Sequence, residues 1–506
     1  MQGAVAAGHP KTAEAASLIL EAGGNAFDAA LAALCAACAV EPVLTSLGGG
    51  GFLLAHTETG NTRLFDFFVQ TPRQKRPVDE IDFYPIIADF GTAQQEFHIG
   101  MGSIATPGTI RGLFDIHRQL GSLPIRTIMA PAIEYAREGV ELNRLQAYIF
   151  SIVAPIYVAT ESARAVYGQD NRNDQPQREG DLFRQPELAD TFEQLSREGD
   201  QLFYKGEMGR ILTKACNTDG GHLSSHDLHN FKTEIRDPLQ HQYRNARIYT
   251  NPPPSSGGVL IFFAQRLLSE LALGEMTHGS RKHLSHLAHV MALTNQARSA
   301  HSVHQGLLDD ELLASYHAII RNHPQTARGT THISVIDQRG NAASLTLSNG
   351  EGCGHVLPGT GIMLNNMLGE EDLNPGGFHQ WQPDVRVSSM MAPSLAIDQN
   401  RLIALGSGGS NRLRTAILQT LSNIIDFDMP VEEAVAAPRI HFERGLISIE
   451  PGFDEEAGAE LIRLHESHHL WDEQNLFFGG THTVAFDGEH FMGAGDLRRD
   501  GVFIST

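Results

Sequence analysis

From Ala29 to Val40 the chain runs 12 residues without a charge, between Asp28 and Glu41. A helix of this composition is apolar on every face, so it has to be covered on every side. It falls well short of the roughly 20 apolar residues that span a bilayer, and reads as a helix buried in a large core. Cys35 and Cys38 form a CxxC inside this run. Redox pairs sit at exposed helix starts with depressed thiol pKa values, so these two are expected to be packing residues. The rest of the composition suits a big core: 506 residues, 41% hydrophobic and 19% charged. Length alone suggests roughly three domains at about 150 residues each.

Charge narrows the partners. Lys+Arg 38 against Asp+Glu 59 gives a net charge of −21, a surface that repels phosphate backbones and anionic headgroups, so neither nucleic acid nor a membrane is an expected partner. Four cysteines, Cys35, Cys38, Cys216 and Cys353, cannot frame a chain this long and point to a reducing compartment. The first residues lack a basic segment followed by an apolar one, so the expected location is cytoplasmic.

An amphipathic helix is expected from Thr12 to Ala22, stopped by Gly23-Gly24-Asn25 ahead of the buried one. Four glycines, Gly48 to Gly51, lead into a buried strand at Phe52-Leu53-Leu54-Ala55; no Lys-Ser/Thr follows, which argues against a phosphate loop. The middle, about 110 to 320, reads mostly as helices, interrupted near Gly168 to Gln177 and by Asn251-Pro252-Pro253-Pro254-Ser255-Ser256-Gly257-Gly258. Past Gly329, alternation over His332 to Ile336, turn chemistry at 337–341 and alternation over Ala342 to Leu347 predict a hairpin. A helix from Arg412 to Ile425 and a strand-rich end follow. Helices and strands mix, with strand-rich segments at both ends.

The junction Arg328-Gly329-Thr330-Thr331-His332 carries the chemistry. A hydroxyl needs an adjacent base to become a nucleophile, and the free α-amine of the same residue can serve once the preceding bond is cut. Thr330 qualifies only after cleavage at Gly329, whose missing Cβ permits the strained backbone of an N-to-O acyl shift.

Segments placed in order along the chain set this junction in context: His9-Pro10, Gly23-Gly24-Asn25-Ala26-Phe27-Asp28-Ala29-Ala30, Gly48 to Phe52, Thr106-Pro107-Gly108-Thr109, the Pro-rich loop, Thr330-Thr331-His332, Gly361 to Asn366, Ser388-Ser389-Met390 and Gly406-Ser407-Gly408-Gly409-Ser410. Together they resemble the γ-glutamyltranspeptidase family over nearly the full length. The resemblance implies an α+β fold, a four-layer αββα N-terminal-nucleophile hydrolase sandwich. It also implies a precursor cut into a large subunit, residues 1–329, and a small one, 330–506, held together as one heterodimer; a higher oligomer is left open. It implies Thr330 as nucleophile, Ser348 as a hydroxyl hydrogen-bonding it, and Gly408 and Gly409 as the oxyanion hole. Ser388 and Ser389 would bind a substrate carboxylate and Glu370 a substrate ammonium. No cofactor is implied, and the partner is a small-molecule amide such as a γ-glutamyl compound.

The pocket departs from the family pattern. An arginine that pairs bidentately with the substrate carboxylate is replaced by Phe68, the glutamine after Asn365-Asn366 by Met367, and the asparagine near the hydroxyl position by Gly350, or Asn349 if the alignment slips by one. The expected reaction is acyl transfer through an ester on Thr330 with water as acceptor, on a γ-glutamyl or related amide. The alternative is an acylase for a more apolar, non-glutamyl amide. A rival class rests on His465-Glu466-Ser467-His468-His469, an H-E-x-x-H that on a helix would let His465 and His469 bind zinc, with Glu489 as a third ligand. The motif is expected at a helix terminus, where imidazolium is favoured by the dipole alone.

Overall fold

The computed structural model describes residues 1–89, 94–169, 172–300, 303–309, 330–374, 376–398 and 400–506. Asn25 opens the buried helix, Ala26–Val40, through a capping box: its side chain accepts from the Phe27 and Asp28 N–H groups while Asp28 accepts from the Asn25 N–H. The helix starts three residues earlier than the apolar run because this cap fixes its first turn. Every residue in it is buried. It packs on the helices Pro10–Glu21 and Ile125–Glu138 and on the strand Thr331–Asp337. Asp337, at the far end of that strand, accepts the Ala26 N–H at 3.0 Å, which sets a carboxylate at the positive end of the helix.

Two antiparallel sheets hold the chain together. The first has seven strands in the order Glu234–Arg236, Thr62–Asp66, Gly50–His56, Ala342–Ser348, Thr331–Asp337, Gly3–Ala7 and Val502–Ser505. The second has six: Leu239–Tyr243, Ala246–Thr250, Ser394–Ile397, Leu402–Gly408, Gly480–Phe486 and Phe491–Ala494. Both draw strands from either side of residue 330. The expected hairpin is present as Thr331–Asp337 with Ala342–Ser348. The middle is less helical than its sequence suggested, since Leu239–Tyr243 and Ala246–Thr250 pair as a second-sheet hairpin.

Alternation along the central hairpin explains what covers each face. Ile333, Val335, Ala343, Leu345 and Leu347 join the apolar cluster built around the buried helix. His332, Ser334, Ser344 and Thr346 point the other way, toward the second sheet. There the Ser334 hydroxyl donates to the His482 carbonyl and the Ser344 hydroxyl to the Leu405 carbonyl, each at 2.9 Å. Small hydroxyl side chains let the sheets approach closely while the polar groups find partners, Thr346 and Ser334 each at one ring nitrogen of His332 at 2.8 and 3.0 Å. On the outer side of the second sheet, Gly257–Ser269 and Arg412–Ile425 contribute to another large apolar cluster. The helix Arg412–Ile425 has the bounds its sequence predicts. Cys35 and Cys38 are buried packing residues, and burial pushes the Cys38 thiol up to about 12. Among the described residues no helix is long and apolar enough to cross a membrane.

Candidate active site

Thr330 stands immediately before the strand Thr331–Asp337, and Gly329, with the bond joining the two, lies outside the described residues. The hairpin register brings Thr330 to its partner. Thr331 pairs with Leu347, and one more step of an antiparallel ladder sets Thr330 opposite Ser348. Both residues follow the parity of His332 and Ser334, the face toward the second sheet, and both line one cavity. Thr330 is 5% exposed and Ser348 6%, so a hydroxyl there works in a largely water-excluded space.

Phe68 forms an apolar wall of this cavity. Its ring stacks on Phe52 with centroids 5.4 Å apart. The neighbouring Arg386 does not replace the missing cation. It donates to the carbonyls of Phe68 and Lys232, sits 3.4 Å from Asp66 and lies over the Phe231 ring. Met367 and Glu370 line a second wall, on the short turns that follow Asn366. Gly350, at φ +64°, makes room for Asn366 and Glu370: a Cβ there would fall 2.1 Å from Asn366 Oδ1 and 2.4 Å from Glu370 Oε1. Asn349, the other candidate at this point, is buried against the glycine turn at Gly49 and does not line the cavity.

The Pro-rich loop finds its purpose at the third wall. Ser255 donates to the carbonyls of Ser389 and Met391 at 2.8 and 3.0 Å, and Asn251 to Met391 at 3.0 Å. These bonds hold Ser389, Met390 and Met391 against the cavity. Ser388 turns away instead, donating to the Pro254 carbonyl at 2.8 Å, so only the second serine of the pair lines the space.

Gly408 and Gly409 end the strand Leu402–Gly408 beside Thr330. A Cβ at Gly408 would lie 2.1 Å from the Thr330 carbonyl oxygen, and Gly409 takes φ +113°, so glycine is required at both. Arg499, buried behind this turn, donates to the Thr330 carbonyl at 3.3 Å. Burial pulls its pKa down to about 10, against the attraction of Asp496, Glu351 and Glu41. Burial likewise holds His482 down at about 4 and His332 well below its ordinary value, so both imidazoles are neutral.

Nothing in the sequence singles out Asp372, Leu373, Met391, Leu413 or Arg499, and Ser410 stands out only as the last residue of the segment Gly406 to Ser410. Leu413 is the second residue of the helix that follows the glycine turn, and Ser410 and Asn411 reach Asp372 at 3.3 Å. Each of these contacts is made by tertiary packing, and no local pattern signals them. Among the described residues, the side chains lining the cavity include two acids, Glu370 and Asp372, and no lysine or arginine.

The zinc reading fails on geometry. The helix Glu455–Leu464 stops before His465, and Ser467–Leu470 is a strand paired in parallel with Leu446–Ile449. His468 and His469 therefore point to opposite faces, with His469 on Trp471 and His465 on Phe442. The helical i, i+4 pairing that H-E-x-x-H needs does not form.

Hydroxyls from Thr330, Ser348, Ser389 and Ser410 meet in this one cavity. The chain belongs to the γ-glutamyltranspeptidase family, whose model, Gamma-glutamyltranspeptidase, matches residues 12–506. It is 29% identical to the Acylase ACY 1 proenzyme of Pseudomonas sp. (strain V22), over 99% of this chain and 93% of that one. It is 27% identical to the Glutathione hydrolase proenzyme of Bacillus subtilis (strain 168), over 99% and 91%. Its fold is similar to that of a cephalosporin acylase from Bacillus halodurans, with a TM-score of 0.86, 24% identity and coverage of 100% and 96%. Two of these relatives are named as acylases and one as a glutathione hydrolase.

Proposed function

We propose that the chain is a self-processing N-terminal-nucleophile amidase, folded as a four-layer αββα sandwich, and that its acyl pocket accepts a neutral, largely apolar group. The observation carrying this is one cavity that joins Thr330 and Ser348 to an apolar wall of Phe68, Met367, Met390 and Leu413. In processing, the Thr330 hydroxyl attacks the Gly329 carbonyl carbon and the peptide nitrogen leaves as the α-amine. Water then hydrolyses the ester, giving residues 1–329 with a carboxylate end and 330–506 with a free amine.

In turnover that amine takes the proton from Thr330 Oγ as the oxygen attacks the substrate carbonyl. Ser348 orients the hydroxyl, and the Gly408 and Gly409 N–H groups stabilise the tetrahedral oxyanion. The proton passes to the leaving amine, an ester on Thr330 remains, and water releases the acid. Ser389 supplies a polar contact beside the acyl group, with Ser388 fixing the loop behind it.

A γ-glutamyl reading has one observation in its favour: Glu370, 3% exposed, lines the cavity, and its carboxylate would pair with a substrate ammonium. The substrate's α-carboxylate, however, would meet the Ser389 and Ser410 hydroxyls but, among the described residues, no lysine or arginine, beside apolar side chains and two acids. An unpaired buried carboxylate costs at least about 1–3 kcal/mol, or roughly ten- to hundredfold in specificity. Pentanoyl-p-nitroanilide is therefore expected to be hydrolysed with kcat/KM at least about tenfold above γ-glutamyl-p-nitroanilide. Equal or reversed preference would return the site to glutamyl chemistry. Intact mass spectrometry is expected to find fragments ending at Gly329 and beginning at Thr330; a single uncut chain that still turns over substrate would defeat the processing scheme.

A further inference from the structure

Glu41 is a fully buried carboxylate that the chemistry above does not use. It caps the C-terminal end of the helix Ala26–Val40, where the helix dipole opposes a negative charge. Stability alone would be as well served there by a neutral side chain. Yet both oxygens are engaged at short range. Oε1 accepts the Thr12 hydroxyl at 2.6 Å, and Oε2 accepts the Thr331 hydroxyl at 2.8 Å. Thr12 belongs to the helix Pro10–Glu21 and Thr331 opens the strand that Thr330 precedes. Burial pushes the Glu41 pKa up, while these two hydroxyls and Arg499 pull it down.

Strand parity makes the contact informative. Thr330 faces the cavity, so Thr331 faces the opposite side of the sheet, where Glu41 receives it. Packing there is tight: a Cβ built on Gly8 would lie 3.2 Å from His482 Nε2, 3.3 Å from Glu41 Oε2 and 3.4 Å from Thr331 Oγ1.

We infer that Glu41 is a positioning residue, which grips the Thr331 hydroxyl from behind the sheet and thereby fixes the aim of Thr330 into the cavity. The inference rests on the reading of Thr330 as the nucleophile. Under that reading Glu41 lies in the fragment 1–329 and Thr331 in the fragment 330–506, so the contact holds the new chain end across the cut. A strand end released from its preceding residue frays, and a displacement of about 1 Å from attack geometry can cost about a hundredfold in rate.

The test uses full-length Thr331→Val, Thr331→Ser, Glu41→Gln and Thr12→Val, with Thr330→Ala as reference. It follows fragment formation by mass, melting temperature, and kcat and KM on pentanoyl- and γ-glutamyl-p-nitroanilide. Thr331→Val and Glu41→Gln are expected to lower kcat about ten- to hundredfold with KM within about twofold, and to slow fragment formation. Thr331→Ser, which keeps the hydroxyl, is expected to restore both. Thr12→Val removes the other hydrogen bond of the same carboxylate and is expected to lower the melting temperature like Thr331→Val while keeping kcat. The inference fails if Thr331→Val processes and turns over like the parent, or if Thr12→Val loses as much kcat, which would make the effect one of stability. An active Thr330→Ala protein would instead remove the nucleophile reading on which it stands.

Discussion

Thr330→Ala protein is expected to remain a single chain of 55.2 kDa and to lose turnover by about 10⁶-fold, the scale of removing a nucleophile that works as part of a unit. The two losses share one cause, because the same hydroxyl would open the Gly329–Thr330 bond and the substrate amide. Little destabilisation should accompany them, since the side chain lines a cavity and its removal leaves the ladder from Thr331 onward intact. A denaturing gel, a melting curve and an anilide assay suffice. A cleaved or active Thr330→Ala protein would move the chemistry to another residue, and Thr331 cannot inherit it, since its hydroxyl is turned to Glu41.

Gly408→Ala should be nearly as damaging for a different reason. The added methyl would come within 2.1 Å of the Thr330 carbonyl oxygen and 3.1 Å of Arg499 Nη1, and backbone has to give way. Because the Gly408 and Gly409 N–H groups are the proposed oxyanion donors, a shift there is expected to cost about 10²–10³ in kcat and to leave uncut precursor accumulating. Substrate KM should change far less, as the acyl walls at Phe68 and Met390 belong to other segments. A Gly408→Ala protein with parental turnover would show that this turn does not abut Thr330 in the working enzyme.

How far the sequence carried this reading differs by feature. The run Ala29 to Val40 announced a buried helix because no face of it could meet water, and the hairpin of Thr331–Asp337 with Ala342–Ser348 declared itself by alternation. Thr330, Ser348, Phe68, Met367, Glu370 and Ser389 were singled out in the sequence, and the structure brings all six to one cavity. Met391, Leu373 and Leu413 were invisible because an apolar residue beside a site looks like any core residue until the chain folds. The Glu41–Thr331 bond joins positions 290 residues apart, beyond any local pattern. His465 to His469 misled for the opposite reason: the local spacing suits a helix, but pairing with Leu446–Ile449 draws the segment into a strand. The hairpin at 239–250 was lost among helical neighbours because its strands are only five residues each.

The seven-stranded sheet places Gly3–Ala7 between Thr331–Asp337 and Val502–Ser505, pairing Gly3 with Asp337 and Ala4 with Ser505. Such distant partners make loop closure slow and assembly dependent on a continuous chain. If the chain is then cut at 329, the covalent link that made these encounters intramolecular is gone. The mature protein would be a structure reached once from its precursor and not regained after denaturation, so its lifetime would be governed by the rate of unfolding rather than by an equilibrium.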